Sequence, residues 1–520
     1  MNPATTNNPY SQHSQNWGVH GKSPLIKAYG NSESDSDVSS DVHEFVAAGR
    51  RDPEVYERSL QPWRAALRLF IVRMVERESH IIAAMQNRLR TPWLDAYFVY
   101  TSSLGTHTFF LTTLPIFFYF GRADIGQALL WAPALGVYAT SVIKDLVCSP
   151  RPFAPPVTRL ALGSLHLEYG FPSTHTANSV SIALFLYSYV HRLYFSESSI
   201  SLTSYYGYLA AIIVYAFSIV FGRIYAAMHS FTDCAFGIII GATVWVFQHL
   251  YLDRIGEAVA NGGWIVPVAA TAICLLMVNQ HPQPVDDCPC FEDAIAFISV
   301  LLGEVLGRWA FFQYGVTPEF FKTPQPGSAY SNLTDIATWW LFSVIKVVVG
   351  ILLIFTWRIF AKATLHFALP RIFRFLANIF TLPNRRFYTP ATDYEEVPIE
   401  RGLHPIPSVI DLPSQLQVGV DDENVSASTG RGNATPSDMK RRRNGSKVGF
   451  GHQDVKTHEE KHNGSVRQAS ETASDGANAS ETEVKHYDAE VLTKVIVYAG
   501  IGILGAHATP VMFEILGWGL

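Results

Sequence analysis

Apolar runs of bilayer-crossing length, set between polar stretches, organise the chain. A spanning helix needs roughly 20 consecutive apolar residues. That requirement predicts spans at about 96–120, 126–146, 176–195, 204–222, 233–252, 263–279, 293–313 and 337–361. A ninth is predicted at about 495–516, where His507, Pro510 and Glu514 interrupt the run. Ahead of the first span, residues 63–90 repeat apolar side chains at helical spacing (Leu67, Phe70, Ile71, Met74), with arginines on the other face. This segment is too charged to span, so it is expected to lie in the membrane interface as an amphipathic helix. A helix packed on protein is the plainer alternative. The expected class is an all-α, polytopic helical bundle.

The same pattern divides the chain. A disordered polar N-terminal tail is expected at 1–62 and the interfacial helix at 63–95. A membrane core follows at 96–252, with additional spans at 253–382. A disordered loop is expected at 383–490 and a C-terminal hydrophobic helix at 491–520. Between 403 and 489 the only aromatics are Phe450 and Tyr487, too little apolar surface to fold. No apolar run of signal-peptide length occurs in the first 50 residues, so the first span is expected to act as the targeting signal. Within the loop, the basic run 440–443 reads as a solvated charge cluster or a contact for anionic lipid. Asn-x-Ser/Thr triplets begin at Asn332, Asn424, Asn433, Asn444, Asn463 and Asn478 and matter only on a lumenal face.

Composition sharpens this picture. The 520 residues are 48% hydrophobic and only 16% charged, against roughly a quarter charged in soluble domains. A net charge of −5 gives no basic footprint for nucleic acid. Five cysteines (148, 234, 274, 288, 290) make no disulfide framework. Cys288-Pro-Cys290 is a weak metal or redox signal without a matching partner, so these read as ordinary thiols.

Candidate chemistry lies in 144–233, where charged residues interrupt the apolar sequence in three short runs. The first holds Lys144, Arg151 and Pro152; the second is Pro172-Ser173-Thr174-His175; the third runs from Arg223 through His229 to Asp233. Charges beside a membrane span are expensive and mark function by default. Pro150 and Pro152 stop any helix at Arg151, leaving Lys144 at a span end and Arg151 on the loop. Ser173 and Thr174 are natural N-cap residues, and the N–H groups of the turn they open form an anion site. His229 and Asp233, four apart, share a helix face, and a carboxylate there can hold a histidine's tautomer. One hairpin of two spans separates the first run from the third, so all three meet at one membrane face. Singly, each residue has a plainer reading: a snorkelling cation, a packed histidine, a helix cap.

The runs K-x6-R-P, P-S-x-H and R-x5-H-x3-D, in this order and over about 96–252, resemble the type 2 phosphatidic acid phosphatase superfamily. Thr174 replaces its usual Gly, and Gly222 its usual Ser, which puts one supporting hydrogen bond in doubt. The P-S-T-H form, the run from Arg223 to Ser230 and the extra spans are similar to its sphingoid base 1-phosphate phosphatase branch. The resemblance implies a lipid phosphatase without metal or other cofactor. His229 would be the nucleophile forming a phosphohistidine, Asp233 its orienting partner, and His175 the general acid and later base. Lys144, Arg151, Ser173, Thr174 and Arg223 would hold the phosphoryl group.

The expected substrate is a long-chain base 1-phosphate, with no protein partner named. Alternatives are phosphatidate or a polyprenyl diphosphate, or a non-enzymatic transporter or scaffold that keeps the fold. Intact His175, His229 and Asp233 speak against the last. The resemblance places the protein in the endoplasmic reticulum membrane with a lumenal site. The basic 50–90 and 358–386 segments fall on the site's side, which the positive-inside rule would make cytosolic. Glu304 and Arg308, four apart within a span, read as an intramembrane ion pair; a sharper reading has Glu304 meeting the substrate's ammonium.

Overall fold

Proline placement decides where the first helices begin. The computed structural model describes residues 47–105, 107–161, 168–316, 320–381, 384–397, 419–420 and 486–519, all within a unit running from Val46 to Leu520. Helices α1 (Pro53–Ser59), α2 (Pro62–Leu89) and α3 (Pro92–Ser102) each start on a proline, whose missing N–H is one of the groups a first turn leaves unpaired anyway. There follow α4 (His107–Tyr119), α5 (Ala123–Val147), α6 (Thr174–Phe195), α7 (Leu202–Tyr225) and α8 (Phe231–Asn261). Next come α9 (Ile265–Asn279), α10 (Cys290–Gln313), α11 (Leu333–Ala377), α12 (Asp488–Ile503) and α13 (Thr509–Ile515). The readings for 1–46, for most of 398–485 and for its basic run and Asn triplets lie outside the described residues.

Six helices among the described residues are long and apolar enough to cross a membrane: α5, α7, α8, α10, α11, and α12 continued through α13. Three of the nine predicted spans differ. The first is broken at Ser103–Gly105, a 3-10 turn between α3 and α4. The span at 176–195 becomes α6, whose opening turns carry Thr174, His175, Thr176, Asn178 and Ser179. α9 has 15 residues, short of a full crossing.

α5 lies at the centre, with α6 and α8 on one side and α10 on the other; α12 returns to pack between α10 and α11. Trp131 and Ala134 of α5, Ile295, Ile298, Leu301 and Leu302 of α10, and Val495 and Ala499 of α12 share one apolar core. A side chain on Gly303 would overlap the backbone carbonyl of Ala499, so glycine is what lets α10 and α12 approach closely. Glu304 accepts from Trp131 Nε1 at 3.1 Å, and Arg308 donates to Gln127 Oε1. The expected Glu304–Arg308 ion pair is therefore not formed; each side chain finds a better partner on α5. The polar residues of the ninth span are accounted for too. A π-helical turn at Leu504–Ala508 precedes Pro510, His507 Nε2 meets the Glu304 carbonyl at 2.9 Å, and Glu514 accepts from Lys322 N and Thr323 N.

Order extends beyond the predicted limits. The tail expected at 1–62 includes α1, where Tyr56 is buried, donates to Asp286 Oδ2 at 2.7 Å and lies under the Arg68 guanidinium. The loop expected at 383–490 has structured ends: Tyr388–Thr389 pairs in parallel with His486–Tyr487, and Tyr394 donates to Asp488. Cys288 and Cys290, read as ordinary thiols, are disulfide-bonded, the turn at Pro289 bringing their Cα atoms to 5.3 Å.

α2 takes the packed alternative on one face. It buries Arg68, Ile71, Val75, Glu78, Ser79, Ile82 and Gln86, while Trp63, Phe70 and Ile81 stay exposed on the rest of its surface. The buried polar side chains cap the ends of other helices. Arg64 donates to the carbonyls of Asp145 and Leu146 in the last turn of α5, and Arg68 to that of Cys148 just beyond it. Gln86 donates to the carbonyls of Thr158 and Tyr225, and Glu78 accepts from Thr232 N at 2.9 Å in the first turn of α8. Glu78→Ala would leave that part-buried N–H without its partner, a loss of about 1 kcal/mol. The expected outcome is a lower unfolding temperature in detergent; an unchanged one would show that α2 does not clamp α8.

Candidate active site

Helix ends build this site. α5 stops at Val147 because Cys148 adopts a left-handed conformation (φ 54°), returning its N–H to the Lys144 carbonyl at 2.8 Å. Pro150 then turns the chain back. Arg151 comes under the bundle, 5% exposed, donating to the Met228 carbonyl at 3.0 Å and the Glu168 carbonyl at 3.1 Å. Ser173 caps α6, its Oγ accepting from Thr176 Oγ1 at 3.0 Å and from Thr176 N, while Ser173 N donates to the Asp233 carbonyl at 3.1 Å. After α7 the chain wraps so that the N–H groups of Met228 and His229 both reach the Arg223 carbonyl. Ser230 and Asp233 then form a reciprocal capping box that opens α8. The three runs separated in sequence are thus linked by direct hydrogen bonds.

His229 is buried, its Nδ1 2.8 Å from the Gly170 carbonyl. A carbonyl can only accept, so Nδ1 carries the hydrogen and Nε2 is left as the lone-pair nitrogen. Asp233 Oδ2 accepts from Ser230 N at 2.7 Å and stands 3.7 Å from His229 Nδ1, beyond hydrogen-bond reach. The direct orienting contact expected of Asp233 is made by Gly170; Asp233 contributes a nearby negative charge. Burial first, then the charges of Arg151, Arg223 and Lys144, push the His229 pKa well below its ordinary value.

The cations converge as expected. Lys144, 1% exposed, pairs with Glu168 Oε1, and Arg151 Nη2 donates to Glu168 Oε2 at 2.5 Å. Burial pushes the Glu168 carboxyl upward, but Lys144 and Arg151 together outweigh it and hold the group below the ordinary carboxylate range. Arg223 is 4% exposed, with Nε unpaired among the described residues. Thr174 Oγ1 meets Thr140 Oγ1 at 3.1 Å, tying α6 to α5. The His175 ring lies directly against Gly105, where a Cβ would stand 2.7 Å from Cδ2. A side chain at Gly222 would press on Phe98 at 3.1 Å, so the aromatic ring takes the room that a serine would need.

Two groups escaped the sequence reading. Glu168 is one carboxylate beside a motif of cations and hydroxyls. Gly170 acts through its carbonyl, which no residue type encodes, although its missing side chain leaves a trace. A Cβ there would stand 2.6 Å from the Pro150 carbonyl oxygen and 2.9 Å from Arg151 Cα.

Residues 126–257 match the PAP2 superfamily. The chain is 40% identical over 319 residues to a dihydrosphingosine 1-phosphate phosphatase of Schizosaccharomyces pombe, covering 60% of this chain and 73% of the relative. It is 32% identical over 283 residues to a dihydrosphingosine 1-phosphate phosphatase of Saccharomyces cerevisiae, covering 53% and 68%. Human sphingosine-1-phosphate phosphatase 2 is 26% identical over 268 residues, covering 49% and 62%. No solved structure matches the chain.

The site makes a prediction that needs no substrate. With its pKa depressed, the His229 ring should stay neutral and Nδ1-protonated as pH falls through 6.5, where a free histidine takes up its proton. The unfolded chain binds that proton and the native ring refuses it, so this group stabilises the fold above pH 6.5 and the contribution is lost on acidification. Ring-nitrogen NMR of histidine-labelled protein, with His229→Gln for assignment, checks this; titration at the ordinary value would contradict it. Gly170→Ala, which must shift backbone at Pro150 and Arg151, should perturb the same resonance.

Proposed function

The chain belongs to the PAP2 superfamily, and from that premise we propose that it hydrolyses a long-chain (sphingoid) base 1-phosphate to the free base and inorganic phosphate. The observation that carries the reading is a buried histidine whose Nδ1 is held by the Gly170 carbonyl, leaving Nε2 as its lone-pair nitrogen, set among Lys144, Arg151 and Arg223. The names of the fungal relatives supply the substrate class.

The chemistry follows from the residues. His229 Nε2 attacks phosphorus and the bond to the lipid oxygen breaks. His175 gives its proton to the departing alkoxide, which leaves as the long-chain base alcohol. The phosphoryl group is then bonded to His229, whose ring has become a cation. Nδ1–H keeps its bond to Gly170, and Asp233 at 3.7 Å supports the new charge. His175, now neutral, takes a proton from water as the water oxygen attacks phosphorus, releasing phosphate and restoring His229. Charge spreads over the phosphoryl oxygens in both steps, so catalysis depends on fixed electrostatics. Lys144, Arg151 and Arg223 supply it, with the Ser173 hydroxyl and the first N–H groups of α6 as donors.

The protein works as a multi-pass membrane enzyme, and we place it in the endoplasmic reticulum with the site facing the lumen. Arg64, Arg68 and Arg385 donate to backbone carbonyls at helix and loop ends, a structural use that accounts for these three members of the two basic segments.

The test is phosphate release by purified protein from dihydrosphingosine 1-phosphate, phosphatidate and polyprenyl diphosphate in parallel, with and without EDTA. Turnover of the sphingoid substrate above the others, resistant to EDTA and abolished in His229→Ala, is expected. His175→Ala should cost about 10²–10⁴-fold in kcat, the usual contribution of a positioned acid or base. Preference for another lipid would overturn the substrate; no turnover of any by folded protein would overturn the enzyme reading.

A further inference from the structure

Glu168 occupies the place where the mechanism needs a phosphoryl group. Its two carboxylate oxygens bridge Lys144 Nζ and Arg151 Nη2, and the charge of His175 also acts on it. A carboxylate that accepts from both cations in the resting site has to yield when a phosphate accepts from them instead. Its side chain is 21% exposed, against 1% for Lys144 and 5% for Arg151, so Glu168 is the member of the trio with room to move.

We propose that Glu168 is a specificity residue: displaced from Lys144 and Arg151 by the substrate phosphate, its carboxylate receives the ammonium of the sphingoid base. This rests on the substrate class proposed above and deepens it. The ammonium of a long-chain base 1-phosphate sits on the carbon next to the one bearing the phosphate, so it enters beside the displaced carboxylate. Lys144, Arg151, Arg223 and Glu168 carry +2 together, and a phosphate dianion with its ammonium carries −1. With phosphatidate the same phosphate arrives without a cation, leaving the Glu168 carboxylate against a dianion in a partly buried site, a repulsion that discriminates between lipids.

The reading of Glu304 as the ammonium partner does not survive the geometry. Glu304 is held by Trp131, thirteen residues before Lys144 along α5, which at 1.5 Å per residue is about 20 Å from the phosphate cations. The plainer reading of Glu168, a counter-ion that only neutralises the cations, predicts the same effect of its removal on every substrate.

The test compares wild type, Glu168→Gln and, as a control outside the site, Glu304→Gln on dihydrosphingosine 1-phosphate, ceramide 1-phosphate and phosphatidate. Ceramide 1-phosphate keeps the backbone but has an amide where the ammonium stood. In Glu168→Gln the preference for the sphingoid base phosphate over both competitors, which lack the ammonium, should fall by about tenfold or more, largely through KM. Inhibition by inorganic phosphate should tighten, because no carboxylate competes for Lys144 and Arg151. Glu304→Gln should leave the preference unchanged. A Glu168→Gln enzyme that elutes as wild type yet keeps its preference, or loses activity on all three lipids equally, overturns the inference and leaves the phosphatase reading intact. Tightened phosphate inhibition with an unchanged preference would also overturn it, reducing Glu168 to a counter-ion. A wild type inactive on all three overturns the phosphatase reading, and the inference with it.

Discussion

Mutual repulsion among Lys144, Arg151 and Arg223 is the constraint on which this structure turns. Like charges gathered where little water screens them repel far more strongly than they would at a surface; Lys144 and Arg151 come from the end of α5 and the turn after it, and Arg223 from the end of α7. The protein answers with a negative partner for two of them, Glu168, and with a scaffold that gives the backbone little freedom to spread. Much of that scaffold is helix capping. α2 satisfies carbonyls at the end of α5 and a donor at the start of α8, while Ser173 and Ser230 cap α6 and α8. Removing a cap here would cost more than local helix stability, because the capped ends are what position the cations.

One electrostatic field then serves two needs. Burial first, and then the cations that would receive a phosphate, oppose protonation of His229. A phosphate dianion would offset the +2 of Lys144, Arg151, Arg223 and Glu168, removing the repulsion that opposes positive charge on the same ring. The Gly170 carbonyl fixes which nitrogen faces the reaction in both conditions, since its bond to Nδ1–H suits the neutral and the cationic ring alike. That division of labour explains why Asp233 can stand back at 3.7 Å and spend its oxygen on the cap of α8.

Much of this was legible in the sequence because charged residues inside apolar sequence are so costly that their presence is itself a signal. Lys144, Arg151, His175, Arg223, His229 and Asp233 could be read that way, and span parity brought them to one face. What could not be read has physical causes. Gly170 works through a backbone carbonyl, and Glu168 through a position fixed by tertiary contact. The i,i+4 spacing of Glu304 and Arg308 places them on one helix face but says nothing of Trp131 and Gln127, which compete for them from α5. α2 misled because its buried face is partly polar: Arg68, Glu78 and Gln86 are hidden because they serve neighbouring helix ends.

The return of α12 between α10 and α11 bears on how the enzyme is made. Lys494 of α12 pairs with Glu292 of α10 at 2.7 Å, and the apolar face of α10 beneath α12 is part of the central core. Translation must pass from Gln313 to Asp488 before that partner exists. At about 5–20 residues per second this takes on the order of ten to thirty-five seconds. Throughout that interval the catalytic half is inserted while the bundle that braces α5 is incomplete. Maturation therefore has a built-in delay set by the length of chain between α10 and α12, which includes α11 and the polar stretch after it.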